Sequence, residues 1–321
     1  MTLSVSAPEP VPGLQSIAAV SETLLSVGYI PTPAIATSLF LAHQLRKPVL
    51  VEGPAGVGKT ELARSVALAL DWPLLRLQCY EGLDESRALY EWKYGKQLLY
   101  TQVLKEKIHD LIEGTDTLDA ALHRLSGFRD VFFSHEFLEP RPILKAMEQE
   151  GGSVLLIDEV DKTNEEFEAL LLEVLSDYQV TVPEIGTISA KVPPLVLLTS
   201  NATRDLGDAL KRRCLHLHIG FPDAGREQAI VRARVPGISA RLLAQLVAFV
   251  QALRDEKIRK VPSISETVDW ARTLVLLHAD ELSPALVRET LGVLLKRQGD
   301  VAEVEARAEP LVRGAKDQAH G

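Results

Sequence analysis

The stretch "VLVEGPAGVGKT", residues 49–60, constrains the fold of this chain more than any other segment. Its first three residues form a short apolar run that ends near glycine, as expected for a buried parallel strand. Residues 53–60 match the pattern GxxxxGK followed by Ser or Thr, and "ELARSVALAL" continues as a helix. This order predicts a phosphate-binding loop, because glycines let backbone N–H groups face phosphate oxygens. The alternative is a chance match, and the flanking strand and helix argue against it.

The side chains of this loop have the chemistry that a nucleotide requires. Lys59 can reach the β- and γ-phosphate oxygens, and the hydroxyl of Thr60 can ligate magnesium. We therefore expect a nucleotide to contact the loop and the first turn of the helix. The predicted contact residues are Gly53, Pro54, Ala55, Gly56, Val57, Gly58, Lys59, Thr60 and Glu61.

A pair of acidic residues follows a second apolar run, in "SVLLIDEVDK", residues 153–162. Asp158 ends the predicted strand and can hold magnesium, and Glu159 can orient or deprotonate a water. Alone, adjacent acids after a strand are more often the first turn of a helix. Because a phosphate loop precedes this pair, the sequence favours a nucleotide hydrolase.

Two further polar stretches complete the motif set. "LVLLTSN", residues 195–201, ends a strand with Thr199, Ser200 and Asn201, which can hydrogen-bond an attacking water or a phosphate; an ordinary turn is the alternative. "DALKRRC", residues 208–214, places Arg212 and Arg213 in the last turn of a predicted helix, where cations also complement the helix dipole. By itself this stretch is more typical of a solvated basic turn.

The remaining pattern predicts an α/β fold, a doubly wound parallel sheet followed by a small all-helical domain. Short apolar runs alternate with helical segments, and ligands of such sheets bind at the carboxyl ends of the strands. The predicted divisions are a flexible lead at 1–13, an α/β nucleotide-binding domain at 14–222 with an insertion at about 80–105 and a hairpin at about 179–190, a helical lid domain at 223–302 and a frayed polar tail at 303–321.

Composition excludes several classes of protein. A net charge of −9, from 44 acidic and 35 basic residues, opposes a dedicated nucleic-acid-binding protein. Cys79 and Cys214 are too few for a disulfide framework or a four-thiolate zinc site, and we expect buried thiols in a reducing compartment. No apolar run approaches the roughly 20 residues that span a bilayer, and the N-terminus lacks a signal pattern. The sequence therefore predicts a cytoplasmic protein with no membrane span.

The four motif stretches, in this order, resemble Walker A, Walker B, sensor 1 and the arginine finger of an AAA+ ATPase, and the trailing helices resemble its lid. "CYEGLDESRALYEWKYGKQLLY", "VTVPEIGTI" and "TSNATRDLGDALKRRC" are similar to the MoxR branch, in particular its CoxD-like members. MoxR-type ATPases are generally regarded as chaperone-like machines that help to assemble or activate metalloenzymes and other complexes, often with a von Willebrand factor A domain partner.

The resemblance implies a role for each matching residue. ATP and Mg²⁺ would be the cofactors, with Lys59 on the phosphates and with Thr60 and Asp158 on magnesium. Glu159 would orient the hydrolytic water, and Asn201 would act as sensor 1.

The resemblance also implies an assembly. Arg213, with Arg212 as its substitute, would reach the ATP of a neighbouring subunit. A finger that acts in trans requires a ring, so a homo-hexamer is expected. Its partners would be a protein client, such as a metalloenzyme whose metal centre it matures, and a von Willebrand factor A domain protein.

One position departs from the family pattern. Many relatives carry a sensor 2 arginine near the start of a lid helix, whereas "VPSISETVDWART", residues 261–273, begins a helix at Pro262 and Ser263 without one. The nearest arginine is Arg272, well along that helix. Either Arg272 acts as sensor 2 or the function is absent.

Aromatic residues cluster in residues 80–100, which hold four of the chain's six tyrosines and one of its three tryptophans. The segment between Thr60 and Asp158 is far longer than one helix and one strand require, so this stretch is an insertion. Tyr90, Trp92 and Tyr94 are spaced by two, which predicts an extended loop that grips a client or a neighbouring subunit. The alternative is internal packing, with Trp92 and Leu89 in a small core.

Other functions remain compatible with these motifs. A nucleic-acid motor of the same broader clade is opposed by the acidic charge balance. A nucleotide-gated binding scaffold with little hydrolysis is opposed by Glu159 and Arg213. Insertion of a metal into a macrocycle, as magnesium chelatases perform it, has no specific support in this sequence.

Overall fold

The computed structural model describes residues 11–105, 117, 132–183, 185–256 and 258–320. Most of the predicted flexible lead, residues 1–10, lies outside the described residues. Across the described ranges, no helix has the length and apolar character that a membrane crossing requires.

The strands of the described chain match the apolar runs of the sequence and add two short pairs. They are Val49–Glu52 (β1), Leu74–Gln78 (β2), Tyr90–Trp92 (β3), Leu138–Pro140 (β4), Val154–Asp158 (β5), Gln179–Val182 (β6), Gly186–Ser189 (β7), Leu195–Ser200 (β8) and Leu215–His218 (β9).

The helices fall between these strands and then continue alone to the C-terminus. They are Ile17–Ser26 (α1), Pro33–Leu45 (α2), Lys59–Leu70 (α3), Glu85–Ala88 (α4), Tyr94–Val103 (α5), Pro142–Met147 (α6), Glu165–Asp177 (α7), Asp208–Arg213 (α8), Ala224–Arg234 (α9), Ala240–Asp255 (α10), Ile264–Leu276 (α11), Pro284–Leu294 (α12), Gln298–Ala306 (α13) and Ala308–His320 (α14), with a 3-10 turn at Val160–Lys162.

Five strands form the main sheet in the order β2-β5-β8-β1-β9. β2 pairs with β5 in parallel, with Leu74 opposite Val154, and β5 pairs with β8 in parallel, with Val154 opposite Leu195. Every residue of β5 and β8 is buried, as expected for strands covered on both faces. The predicted α/β class, a parallel sheet followed by a helical region, is confirmed.

The chain divides into two compact units. The first unit contains the described residues of Met1–Phe40, Val51–Leu70 and His216–Gly321, and the second contains Leu41–Leu50 and the described residues of Asp71–Leu215. The phosphate loop therefore groups with the C-terminal helices, whereas the acidic pair belongs to the second unit. The predicted domain boundary at residue 222 stays a prediction.

The second unit has its core around β5 and β8. The residues that fill it include Leu155, Ile157, Phe167, Leu171 and Leu198, all at most 3% exposed. β6 and β7 pair antiparallel at the place where the sequence predicts a hairpin, with Val182 opposite Gly186.

The aromatic insertion contains α4, β3 and α5, and β3 pairs antiparallel with β4. Trp92 is only 9% exposed and lies edge-to-face against Phe133, with ring centroids 5.1 Å apart. Tyr90 shares this face of the strand, and its ring centroid is 6.0 Å from that of Trp92. The expectation that Trp92 projects from an extended loop is therefore wrong. Tyr90 and Trp92 are two residues apart on β3, so they share one face of the strand, and that face packs against the core cluster that also contains Leu89.

Tyr94 differs from Trp92 because it lies beyond the strand, in the first turn of α5. Its side chain is 65% exposed, and Leu98, Leu99 and Val103 on the same helix are also exposed. Its predicted contact with a client stays a prediction.

The helical part of the first unit has a separate apolar core. Phe249 and Trp270 are fully buried, with ring centroids 5.4 Å apart. A buried ion pair joins α9 to α10, with Arg254 Nη1 2.6 Å from Glu227 Oε2. These contacts hold α9, α10 and α11 as one folded body.

The C-terminal tail is folded, so the expectation that residues 303–321 fray is wrong for its described part. α13 and α14 bury Val304, Ala308, Val312 and Ala315, and α14 packs along α10. These four residues recur at helical spacing, but they are small and lie among charged residues. Because most residues of this segment are polar, its composition did not indicate that one narrow face of α13 and α14 is buried.

Val312→Ala tests this packing. Removing two buried methyl groups at about 0.8 kcal/mol each should lower the free energy of unfolding by about 1.5 kcal/mol in urea titrations. Arg313→Ala, at the exposed neighbouring position, is the matched control and should change the free energy of unfolding by less than about 0.5 kcal/mol. Equal values for wild type and Val312→Ala would mean that the tail does not pack.

Candidate active site

The phosphate loop of the first unit runs from β1 into the N-terminus of α3. Lys59, the first residue of α3, is 7% exposed, and its Nζ donates to the carbonyl oxygens of Gly53 at 2.7 Å and Pro54 at 2.8 Å. The ammonium group therefore lies inside the loop, with the position and charge required to approach an anion held there.

Two glycines of the loop are required by their surroundings. A Cβ on Gly53 would lie 2.0 Å from the carbonyl oxygen of Ile219, which follows β9. Gly56 has φ +78°, and a Cβ there would lie 2.2 Å from Ser263 Cβ. The carbonyl of Gly56 accepts the backbone N–H of Ile264 at 3.1 Å, so the start of α11 rests directly on the loop.

Ser263 also caps α11. Its Oγ accepts the N–H of Glu266 at 3.2 Å, and the Glu266 side chain accepts the N–H of Ser263 at 2.8 Å. This capping box fixes the end of the helix that contacts Gly56.

A cavity of about 290 Å³ lies beside the loop, entirely within the first unit. Its walls combine loop residues, apolar side chains and charged groups: Gly28, Tyr29, Ile30, Gly56, Val57, Gly58, Glu61, Arg226, Ile230, Arg234, Ile264, Ser265, Val268, Asp269 and Arg272. Apolar walls with a few convergent charged groups are typical of small-molecule sites.

Three arginines and two carboxylates, those of Glu61 and Asp269, are the charged groups of this cavity. Arg226 Nη2 donates to the carbonyl of Ile30 at 3.0 Å, Arg234 forms an ion pair with Glu61, and Arg272 Nη1 lies 3.4 Å from Asp269 Oδ1. Guanidinium groups are suited to phosphate recognition.

Arg272 and Tyr29 both line this cavity, together with the loop glycines. The role of Arg272 as sensor 2 stays a prediction. Burial raises the pKa of Tyr29 to about 12, although the Arg226 charge lowers it, so Tyr29 is a neutral wall at physiological pH.

In the second unit, Asp158 ends β5 and is 3% exposed. Arg76 Nη2 lies 2.6 Å from Asp158 Oδ2, and Thr199 Oγ1 donates to Oδ1 at 2.5 Å. Arg76 reaches Asp158 because the register pairs it with Leu156, two residues earlier on the same face.

Glu159 has a left-handed backbone, with φ 60° and ψ 49°. Its N–H donates to Thr199 Oγ1 at 2.9 Å, Gln78 Nε2 donates to its Oε2 at 2.8 Å, and Lys162 Nζ lies 2.6 Å from the same oxygen. Asn201 Nδ2 donates to Oε1 at 3.3 Å. The structure thus brings together Asp158, Glu159 and Asn201 at the ends of the paired strands β5 and β8, and their roles in hydrolysis stay predictions.

Thr199 and Ser200 form hydrogen bonds with protein groups at the end of β8. Thr199 bonds both acidic residues, and Ser200 Oγ accepts the N–H of Ala202 at 3.0 Å. Both are 1% exposed or less, so they organise the strand end.

Arg212 and Arg213 lie in the last turn of α8, and both are exposed. Arg213 Nη1 donates to the carbonyl of Leu172 on α7 at 3.3 Å. The structure therefore places the predicted finger on the protein surface of the second unit, at the end of a six-residue helix.

The residues fit a magnesium nucleotide by their chemistry. Thr60 offers a hydroxyl and Asp158 a carboxylate, and oxygen ligands of this kind are those that Mg²⁺ prefers. Lys59 and the arginines of the cavity supply charges that complement phosphates.

Sequence reasoning missed several residues of these sites. In the first unit, Tyr29 and Arg226 fall within "GYIPTP" and "FPDAGRE", which the sequence marks only as breaks between elements. In the second unit, the missed residues are Arg76 and Gln78 on β2. Residues 76–79 alternate polar and apolar, and this alternation indicates that Arg76 and Gln78 share one face of the strand.

These features define a nucleotide-binding protein of the P-loop class: a parallel sheet, a glycine-rich loop entering a helix, and an acidic pair after a buried strand. Residues 48–214 match the profile of the AAA domain, dynein-related subfamily. Because this match spans more than half of the chain, the protein belongs to that AAA+ family.

Relatives extend this similarity beyond the matched domain. An uncharacterized protein of Staphylococcus aureus strain USA300 is 25% identical over 238 residues, covering 72% of this chain and 76% of its own. The corresponding uncharacterized protein of the bovine strain RF122 is 26% identical over 238 residues, with the same coverage.

Two solved structures of Thermotoga maritima RuvB are also similar. A point mutant has 19% identity and a TM-score of 0.44, covering 81% of this chain and 68% of its own. The RuvB Holliday junction branch migration motor has 17% identity and a TM-score of 0.42, covering 88% and 72%. The fold assignment rests on strand order and the family match.

Gly56→Ala tests the contact between the loop and α11. A left-handed backbone with a side chain costs about 1–2 kcal/mol, and the added Cβ clashes with Ser263, so affinity for a fluorescent ATP analogue should fall at least about tenfold. Gly292→Ala, in open space on α12, is the control and should leave affinity unchanged. Unchanged affinity in both variants would contradict the proposed loop geometry.

Both cysteines should be inert in the folded protein. Burial raises the pKa of Cys79 to about 12, with a further contribution from the Asp158 charge, and burial raises that of Cys214 to about 12. At pH 8 the thiolate fraction of each is then about 10⁻⁴. Ellman's reagent should react slowly with native protein and rapidly with both thiols in guanidinium chloride; rapid reaction of either thiol before unfolding would refute the assignment.

Proposed function

We propose that this protein is an ATP-hydrolysing, ring-forming AAA+ remodelling chaperone of the MoxR type. The arrangement of Glu159 is the observation that supports ATP hydrolysis. Its carboxylate follows the buried Asp158 directly, and three side chains, those of Gln78, Lys162 and Asn201, hold it in place. A scaffold that only binds nucleotide has no need of an oriented carboxylate beside a second acid.

In this proposal the first unit binds the nucleotide. Lys59 contacts the phosphates, and the backbone of the glycine loop contributes N–H donors. The cavity lined by Tyr29 and Ile30 accepts the base, because its apolar walls suit a planar ring.

The second unit supplies the hydrolytic groups. Asp158 would hold magnesium, and the MoxR resemblance implies Thr60 of the loop as a further ligand; the ion would offset the charge of the phosphates. Glu159 orients the attacking water and accepts its proton, and Asn201 holds the Glu159 carboxylate.

Arg213 acts in trans on the ATP of a neighbouring subunit. Its exposed position at the end of α8 supports this role, since a finger must leave its own subunit. An arginine finger contributes about 10³ to 10⁵ in rate. A ring, which we propose is a homo-hexamer, follows from a contact that repeats head to tail.

The proposed client is a protein complex, and a metalloenzyme whose metal centre is being assembled fits the MoxR resemblance best. A partner with a von Willebrand factor A domain belongs to the same proposal. Tyr94 and the exposed apolar residues of α5 supply a contact surface on the insertion. The net charge of −9 supports a protein client rather than nucleic acid.

Turnover and molar mass test the core of this proposal. We expect wild type to form a ring of about six subunits with ATP, Glu159→Gln to assemble without hydrolysis, and Arg213→Ala to assemble but turn over about 10³-fold more slowly. ATP turnover and light scattering, each with and without ATP, give both quantities.

Arg212→Ala is the matched control, because this arginine is the exposed neighbour in the same turn. It should retain most of the wild-type turnover; if it is inactive while Arg213→Ala is active, Arg212 is the finger. A wild type that stays monomeric without turnover, together with an Arg213→Ala variant that behaves identically, would refute the ring.

A further inference from the structure

Glu168 is a buried carboxylate that the proposed hydrolytic mechanism does not use. It lies in the first turns of α7 and is 5% exposed. One carboxylate oxygen forms an ion pair with Arg204, and the other accepts the backbone N–H of Gly207 at 2.7 Å. Arg204 also donates to the carbonyl of Thr163 at 2.8 Å. One side chain of α7 thus binds the loop after β8 at two points.

The second of these points is the start of α8. Gly207 is the N-cap residue of this helix, and its carbonyl accepts the N–H groups of Leu210 and Lys211, both at 3.1 Å. A Cβ at Gly207 would lie 2.9 Å from Glu168 Oε2, so the carboxylate contacts the backbone closely. Glu168 therefore defines where α8 begins.

The length of α8 makes this anchor important for Arg213. The helix has six residues, and such short helices are not stable without tertiary contacts. At about 1.5 Å per residue, Arg213 lies roughly 9 Å along the helix from Gly207, so a small displacement of the N-cap shifts the guanidinium by a comparable distance.

Asp161 provides a second anchor for the same loop. Its Oδ2 accepts the N–H of Thr203 at 3.0 Å and the Thr203 hydroxyl at 2.6 Å. Burial alone raises the pKa of Asp161, but the hydrogen bonds from Thr203 and Asn201 outweigh it, and the pKa lies below its usual value. Both anchors come from the segment that begins with Glu159, so the loop is tied to the element that carries the hydrolytic acid.

We infer that Glu168 is a positioning residue that sets the placement of Arg213 through Arg204 and Gly207. This inference rests on the proposed function, in which Arg213 acts on a neighbouring subunit. Its consequence is specific: loss of Glu168 should damage the finger that a subunit offers while leaving that subunit's own nucleotide site intact.

Mixed assemblies of full-length variants separate these two effects. Glu168→Ala subunits keep their own hydrolytic residues but offer a displaced finger, whereas Glu159→Gln subunits do not hydrolyse but offer an intact finger. Alone, Glu168→Ala should lose at least about a hundredfold in kcat, as expected for a misplaced catalytic group, with KM for ATP unchanged. Mixed with Glu159→Gln, it should recover.

The expected recovery follows from random assembly. In an equimolar mixture about half of the subunits are hydrolytically competent, and about half of those receive an intact finger from their neighbour, which gives about a quarter of the wild-type rate. Arg213→Ala mixed with Glu159→Gln is the positive control and should recover equally. Glu173→Ala, an exposed acid on the same helix, should be active alone.

Glu168→Gln keeps the test informative if Glu168→Ala does not fold. Its amide oxygen can still accept the Gly207 N–H, but the charge that faces Arg204 is lost, so an intermediate kcat with the same recovery on mixing is expected. Melting temperatures identify any variant that is unfolded.

The mixing experiments also separate failure of the inference from failure of the trans-acting finger. If the Arg213→Ala mixture recovers and neither Glu168 mixture does, the inference is overturned and the trans-acting finger stands. If the Arg213→Ala mixture does not recover, the trans-acting finger itself is refuted, and the inference falls with it. Full activity of Glu168→Ala alone would also overturn the inference.

Discussion

The hydroxyl of Thr199 is the contact on which the acidic site depends. It donates to Asp158 at 2.5 Å and accepts the amide of Glu159 at 2.9 Å, which ties the end of β5 to the end of β8. A hydroxyl has one hydrogen, so donation to the carboxylate leaves its lone pairs for the amide. The amide of Glu159 is thereby turned toward β8. A left-handed backbone in a non-glycine residue costs of order 1 kcal/mol or more, and this bond helps to hold it.

Charge pairing extends this arrangement through the second unit. Acidic residues that are buried need partners, because an isolated charge in the interior is costly. Asp158 has Arg76 and Glu168 has Arg204, whereas the partly exposed Glu159 pairs with Lys162, three residues further along the chain. Because Arg76 and Arg204 come from other elements, the first two pairs also fix a strand and a loop beside the acid. The polar network that neutralises the acids is therefore the same network that positions the loop and helix after β8.

In the first unit, the glycine loop packs against the start of α11. The fully buried pair Phe249 and Trp270 and the capping box of α11 make the helical part rigid, and Ser263 and Ile264 bring its end against Gly56. The cavity beside the loop then gathers residues from near the N-terminus, from the loop and the start of α3, and from the C-terminal helices α9 and α11. Two of its three arginines pair with acids of the same cavity, and the third donates to a backbone carbonyl.

The sequence by itself determined the strand, loop and helix around Lys59, the acid pair after β5, the polar end of β8 and the helical region that follows, because these depend on local periodicity and on the chemistry of consecutive residues. Only the tertiary structure decided that Trp92 turns inward, that α14 packs on α10, and that Arg76 and Glu168 reach their partners. Each of these outcomes depends on contacts between residues far apart along the chain. Residue spacing cannot determine which face of an element such contacts will cover.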